Sequence, residues 1–271
     1  MLRPKKYTAI EEESQEAPRA GNVLELRGPF RILSGIIHRQ PAVQKQYVRS
    51  LFDSIAHRYD LLNHLLSGGI DFYWRRRALE HLREVRPLRI LDVATGTGDF
   101  AIAALRLGPE KVVGIDIAEE MLARGRAKVA SRGLGAVISL QPGDAEMMEF
   151  ADGTFDAVTV AFGVRNFENL EAGLAEMRRV LRPGGKAVIL EFSRPAAFPL
   201  KQLYLFYFRR VLPLIGALVS RNRTAYRYLP ETVMQFPQGD SMLAILRRTG
   251  FSAPAAERLT FGIASIYTGI R

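Results

Sequence analysis

Apolar residues recur at three- and four-residue steps through residues 43–86, with few Gly or Pro, which predicts a helical region. From residue 89 the pattern changes. Short continuous apolar runs alternate with amphipathic stretches. The runs are Arg89–Val93 (RILDV), Lys111–Asp116 (KVVGID), Val137–Gln141, Phe155–Ala161 (FDAVTVA) and Ala187–Phe192. Between them, Phe100–Leu107, Glu119–Ser131 and Leu170–Leu181 read as helices, and RPGGK (182–186) as a turn. Continuous apolar strands alternating with helices mean a parallel sheet covered on both faces. Beyond residue 230 a helix near Ser241–Thr249 precedes two strand-like stretches, Ala255–Leu259 and Ile263–Thr268. Their short separation predicts an antiparallel pair at the sheet edge.

The chain has 271 residues, 48% hydrophobic and 24% charged, enough for one large domain with an appendage. It divides into an N-terminal extension, 1–42, expected to be flexible; a helical lid or substrate region, 43–86; and a core, 87–271, with a cap insertion at about 197–238. Cysteine is absent, which excludes disulfides, Cys-ligated metals and a Cys nucleophile. No Asp/Glu/His cluster has metal-ligand spacing, so no metal is expected. The first 20 residues lack the apolar core of a secretion signal, which predicts a cytoplasmic address.

Net charge is +10, and it is concentrated. Between Lys201 and Pro230 lie six basic residues and no acidic one, interleaved with aromatics (LYLFYFRRVLPLIGALV, 203–219). Such a segment suits an anionic membrane surface or a partly buried helix with a solvated basic face. Arg209 and Arg210 interrupt it and Pro213 would kink it, so it is not expected to span a bilayer.

The candidate chemistry begins at DVATGTGD (92–99). Gly96 and Gly98 stand where the first strand turns into the first helix, where a ligand needs close backbone approach. Asp116 ends the second strand, 18 residues after Gly98, a position from which a carboxylate accepts from ribose hydroxyls. Asp92 and Asp99 would repel a pyrophosphate but attract a sulfonium and an α-amino group. Asp144 in GDA (143–145) could accept from an adenine amino group while a following N–H, at Ala145, donates to the ring; it could equally cap a turn. Together these favour S-adenosylmethionine as cofactor over a nicotinamide dinucleotide.

More specific stretches are FDSIAHRYDLLNHLLSGGIDFYWRR (52–76), FGVRN (162–166), EFSRP (191–195) and YLPETVMQFP (228–237). With these the chain, from about residue 47 onward, resembles the class I quinone-ring C-methyltransferases of menaquinone and ubiquinone biosynthesis. It is most similar to the members acting on demethylmenaquinone. The resemblance implies a doubly wound α/β sheet of seven strands, the last antiparallel, under a helical lid. It implies cofactor contacts at Thr97, Asp116, Asp144 and Ala145. One departure is Ala161, where ubiquinone-type members often carry Ser; Ala leaves only backbone or packing contact there.

The implied reaction is methylation of a ring carbon of an isoprenoid quinol, favoured by an ionised ring hydroxyl in a dry pocket. Arg165, just past the fourth strand, is expected to hold that oxygen or to form a structural ion pair. Asn166 would orient the ring oxygen or cap a helix. Tyr59, with Asp60 and Asn63 within two helical turns, would stack on or hydrogen-bond the ring, or simply pack. His57 and His64 are the candidate bases, and neither is singled out. A basic chain also raises nucleic-acid methylation. Base-amino methylation commonly uses Asn/Asp-Pro-Pro-aromatic after the fourth strand, where this chain has AFGVRN, so no nucleic-acid partner is expected. A non-catalytic accessory subunit is the other alternative. The partners expected are the quinol and, transiently, an anionic membrane at its inner face; homo-oligomerisation is left open.

Overall fold

The computed structural model describes residues 41–60, 64, 67–211 and 223–271. The described residues belong to one compact unit, Gln40–Arg271. The expectation for the N-terminal extension lies almost wholly outside the described residues. So do Asn63 and Pro213 and residues 212–222 of the cap.

Seven strands form one sheet: β1 (Arg89–Val93), β2 (Lys111–Asp116), β3 (Ile138–Pro142), β4 (Phe155–Ala161), β5 (Leu181–Phe192), β6 (Ser252–Leu259) and β7 (Ala264–Ile270), in the order β3-β2-β1-β4-β5-β7-β6. The first five are parallel; β7 runs antiparallel between β5 and β6, so β6 is the edge. The order reverses between β1 and β4, and a doubly wound sheet binds its ligand at that switch point, beyond the strands' carboxyl ends.

The described helices are α1 (Pro41–Ile55), α2 (Ile70–Glu80), α3 (Asp99–Ala104), α4 (Glu119–Ser131), α5 (Leu170–Val180), α6 (Leu200–Phe206), α7 (Arg223–Gln235) and α8 (Asp240–Arg248). The two-residue period of the strands sorts side chains into two cores. On one face Ile90 and Ala157 meet α2 (Trp74, Ala78, Leu79), α3 (Phe100, Ala101) and α4 (Leu122, Val129). On the other, Leu91, Val93, Val158 and Val160 meet α5 (Leu174, Met177) and α8 (Met242, Leu246). Trp74 is 2% exposed, donates its indole N–H to Thr260 Oγ1 at 2.7 Å, and stands edge-on to Phe192.

Two expectations change. RPGGK is not a turn before the fifth strand but lies within it. Leu181 pairs with Phe155 and Lys186 with Ala157, so Arg182–Gly185 bulge from an otherwise continuous ladder. Gly184 takes φ +77° there. The edge strand starts at Ser252, three residues earlier than the alternation suggests, with a register shift between Ser252 and Ala255 that absorbs Pro254. Proline removes a ladder donor, which an edge strand tolerates.

Candidate active site

Beyond the carboxyl ends of β1, β2 and β4 lies a cavity roofed by α1 and the turn that follows it. The roof contributes Lys45, Val48, Phe52 and Tyr59. The floor is Ala94, Gly96, Asp116 and Ile117, and Met121 closes one side. The loop after β3 adds Gly143–Glu146, and the segment after β4 adds Ala161–Gly163, Asn166 and Phe167.

Asp116 ends β2 with its carboxylate anchored by the backbone: Oδ2 accepts from Gly96 N at 2.8 Å and Oδ1 from Ala118 N at 2.9 Å. Each oxygen retains acceptor capacity for a ligand hydroxyl. Burial raises the Asp116 pKa above the usual carboxylate value, against those backbone donors. Gly96 takes φ +56°, and a Cβ there would stand 3.4 Å from Met121 and 4.0 Å from Tyr59, within the cavity wall. Asp144 sits in the turn after β3: Oδ1 accepts from Glu146 N at 2.9 Å, and Oδ2 pairs with Lys45 Nζ at 2.7 Å. It therefore caps its turn and lines the cavity at once, with Ala145 beside it.

Three expected cofactor residues lie behind the wall instead. Thr97 is buried, and its hydroxyl donates to Asp60 Oδ1 at 2.6 Å while Lys128 Nζ reaches it at 3.2 Å. Gly98 is the N-cap of α3, at φ +80°. Asp92 is 1% exposed, and its oxygens accept from the Thr95 and Thr159 hydroxyls at 2.6 and 2.8 Å. The reading of Asp92 and Asp99 as attractors for a cation is corrected accordingly. Asp92 alternates onto the α2 face of the sheet, and Asp99 is paired with Lys128 at 2.6 Å.

Asn166 and Tyr59 both line the cavity, from opposite sides. Asn166 Oδ1 is itself buried and has no hydrogen-bond partner among the described residues, so it is the residue, and not this oxygen, that meets the cavity. Tyr59 stands edge-on to Phe52, ring centres 6.0 Å apart. Arg165 does not line the cavity. Its guanidinium pairs with Glu191 Oε1 at 2.9 Å and donates to the Phe162 carbonyl, while its backbone N donates to Glu191 Oε2 at 3.2 Å. Both side chains are almost fully buried, and the Arg165 guanidinium lies 5.6 Å from the Phe192 ring centre. The alternative of a structural ion pair is the one present, made with Glu191 of β5. Neither candidate base lines the cavity: His57 is exposed, and His64 Nδ1 is 2.9 Å from Asp71, its Nε2 3.6 Å from Asp99.

Lys45, Glu146 and Glu191 were not singled out from the sequence. A glutamate inside the apolar run VILEF is itself a signal, because a buried carboxylate needs a buried partner. Lys45 carries no such signal; its partner is 99 residues away. Among the described residues no group of His, Cys, Asp or Glu is arranged to hold a metal ion.

Residues 40–271 match the ubiE/COQ5 methyltransferase family. The demethylmenaquinone methyltransferase of Bacteroides fragilis is 50% identical over 229 residues, 84% of this chain and 94% of that protein. That of Thermus thermophilus is 50% identical over 82% of this chain and its own full length. The ubiquinone/menaquinone biosynthesis C-methyltransferase UbiE of Geobacter sulfurreducens is 49% identical over 82% of this chain and 87% of that protein. Among solved structures, a SAM-dependent methyltransferase of Thermotoga maritima has a TM-score of 0.57 at 17% identity, covering 82% of this chain and 98% of that one. The [4+2]-cyclase SpnF has a TM-score of 0.60 at 16% identity, covering 84% and 96%. Those two likenesses concern the fold alone, and one of the two proteins is named for a different reaction.

Proposed function

The chain belongs to the ubiE/COQ5 methyltransferase family, and from that premise we propose that it methylates a ring carbon of demethylmenaquinol, with S-adenosylmethionine as donor. The observation that carries the reading is the cavity itself. Two anchored carboxylates stand at its nucleoside end, and an apolar roof that includes Val48 and Phe52 covers it. Asp116 would hold the ribose hydroxyls, and Asp144 with Ala145 the adenine edge. When bound, the donor supplies an electrophilic methyl group on a cationic sulfur. The relatives named for both quinone pathways favour, as a second reading, a benzoquinol of the ubiquinone pathway.

The residues of the chain divide the remaining work. Asn166, a polar side chain in the segment after β4 that lines the cavity, orients the ring. Tyr59 packs against the ring from the roof. Arg165 is a positioning residue: its pair with Glu191 ties the turn after β4 to β5 and so sets Asn166 in the wall. The apolar roof (Val48, Phe52) keeps water from the reacting atoms.

The isoprenoid tail of such a substrate resides in a bilayer. Phe198, Leu203 and Phe206 are exposed on and beside α6, next to exposed Lys201 and Arg210, an arrangement that suits transient docking on an anionic membrane. No helix among the described residues is long and apolar enough to cross a membrane. The test uses the purified chain with methyl-labelled donor and a short-tailed demethylmenaquinol in detergent. The expected result is a label on the ring carbon; label on neither that quinol nor a matched benzoquinol overturns the proposal. Sedimentation with liposomes tests docking, and equal recovery in the supernatant with and without anionic lipid rejects it.

A further inference from the structure

The roof of the cavity is tied to the core at several polar points. Asp53 on α1 accepts from Glu120 N at 3.0 Å and so supplies the cap that α4 lacks from its own N-cap residue, Ala118. Asp60 takes the Thr97 hydroxyl and pairs with Lys128 Nζ at 2.6 Å. The remaining tie, Lys45, differs from these in reaching the cavity. Its ammonium stands 2.7 Å from Asp144 Oδ2 and 3.1 Å from Glu146 Oε2. Among the described lining residues Lys45 is the one cation, and they include three carboxylates, Asp116, Asp144 and Glu146. Without it, two neighbouring carboxylates of one short turn would repel, and Asp144, with 29% of its side chain exposed, would keep the Glu146 N–H as its remaining anchor.

We propose that Lys45 is a positioning residue for the adenine end of the cavity. Its bridge to Asp144 and Glu146 holds the Asp144 carboxylate aimed as acceptor for an exocyclic amine, and the same bridge latches α1 over the bound nucleoside. The inference rests on the reading of Asp144 given above. Glu146 is rigid enough to serve as the second anchor, because its Oε1 accepts from Glu168 N at 2.7 Å just before α5. The pairs are partly exposed, so added salt weakens the latch and speeds exchange. Association requires α1 to lift, and release requires the bridge to break.

The experiment measures binding of S-adenosylhomocysteine and its inosyl counterpart, which carries a ring carbonyl in place of the amine, to wild type, Lys45→Met and Lys45→Arg. Calorimetry gives affinity and stopped flow gives the rates. The expected result for Lys45→Met is about tenfold weaker binding of the adenosyl ligand, most of it in faster release. Discrimination against the inosyl ligand should narrow by a similar factor and the salt dependence of release should flatten, with Lys45→Arg restoring most of both. A merely structural lysine would leave the adenosyl-to-inosyl ratio untouched. Wild-type discrimination retained in Lys45→Met overturns the inference, whereas failure of the wild type to bind either ligand overturns the function proposed for the cavity.

Discussion

Asp92 sits in β1 with both oxygens on threonine hydroxyls, and burial pushes its pKa up from 3.8 to about 6, against the opposing pull of Thr95, Thr159 and Arg75. The folded state therefore binds this proton more tightly than the unfolded chain. Between pH 3.8 and about 6 the native state carries more protons than the unfolded one, so rising pH lowers stability through that window. Below it the contribution is full; above it the protein carries a constant penalty, about 3 kcal/mol for a two-unit rise. Asp92→Asn removes the charge and keeps the shape. Its amide oxygen accepts from one threonine, and the other hydroxyl turns to accept from the amide nitrogen. At pH 7.5 the variant should be more stable than wild type by about 1–3 kcal/mol, the upper end being reached only if the rotated hydroxyl loses nothing. At pH 4 the difference should vanish or change sign. Trp74, the single tryptophan and 2% exposed, reports unfolding in urea. A difference between variant and wild type that is the same at both pH values would refute the argument, because only the titration of residue 92 separates the two curves.

Glu191→Gln leaves the Arg165 guanidinium buried without its anion and should cost about 3–5 kcal/mol in urea unfolding, much of it recovered when Arg165→Met is added; equal stability of wild type and single variant would contradict the pair's burial. Asp116→Asn turns an amide N–H toward one of the two backbone donors, Gly96 N or Ala118 N, and should weaken S-adenosylhomocysteine binding by about tenfold or more, read by calorimetry. Gly173→Ala would place a Cβ 2.4 Å from the ring of Phe167, a cavity-wall residue. The gain in helix propensity, about 1 kcal/mol, should be lost to repacking of about 1–3 kcal/mol, and ligand affinity should fall with it as the displaced ring enters the cavity; an unchanged affinity would show that the ring moves elsewhere.

Local signals made most of the sheet legible. Lys111–Asp116, Phe155–Ala161 and Glu119–Ser131 have the boundaries that apolar runs and helix period predict. The bulge at Arg182–Gly185 was not legible, since Gly-Gly reads as a turn whether or not the flanking residues pair across it. At the site, the acidic residues closing β2 and following β3 were legible from their positions relative to strand ends. Which face of a strand or turn a residue takes was not. Thr97 follows the cavity residue Gly96 but turns its hydroxyl to Asp60, and Asp92, two residues before the cavity residue Ala94, lies within the sheet on the Thr95 and Thr159 hydroxyls. Long-range partners were illegible for a simpler reason: Lys45 with Asp144 and Arg165 with Glu191 join segments 99 and 26 residues apart.

That last pair explains why FGVRN and EFSRP are informative together although most of their residues do not line the cavity. A charged residue in an apolar strand is costly alone, and so is an arginine in a buried turn; each is tolerable only opposite the other. Glu191 spends Oε1 on the guanidinium and on Phe192 N, and Oε2 on Arg165 N, so its carboxylate is saturated by the two motifs. The arginine in turn holds the Phe162 carbonyl, at a residue whose φ of +59° an L side chain rarely adopts. The backbone after β4 is thus kept in an unfavourable turn by a buried ion pair, and the residue after Arg165, Asn166, is thereby held in the cavity wall. Two buried charges and a strained residue are thus spent on fixing the segment after β4, whose Ala161–Gly163, Asn166 and Phe167 line the cavity, and that is how the two motifs bear on a site that most of their residues do not touch.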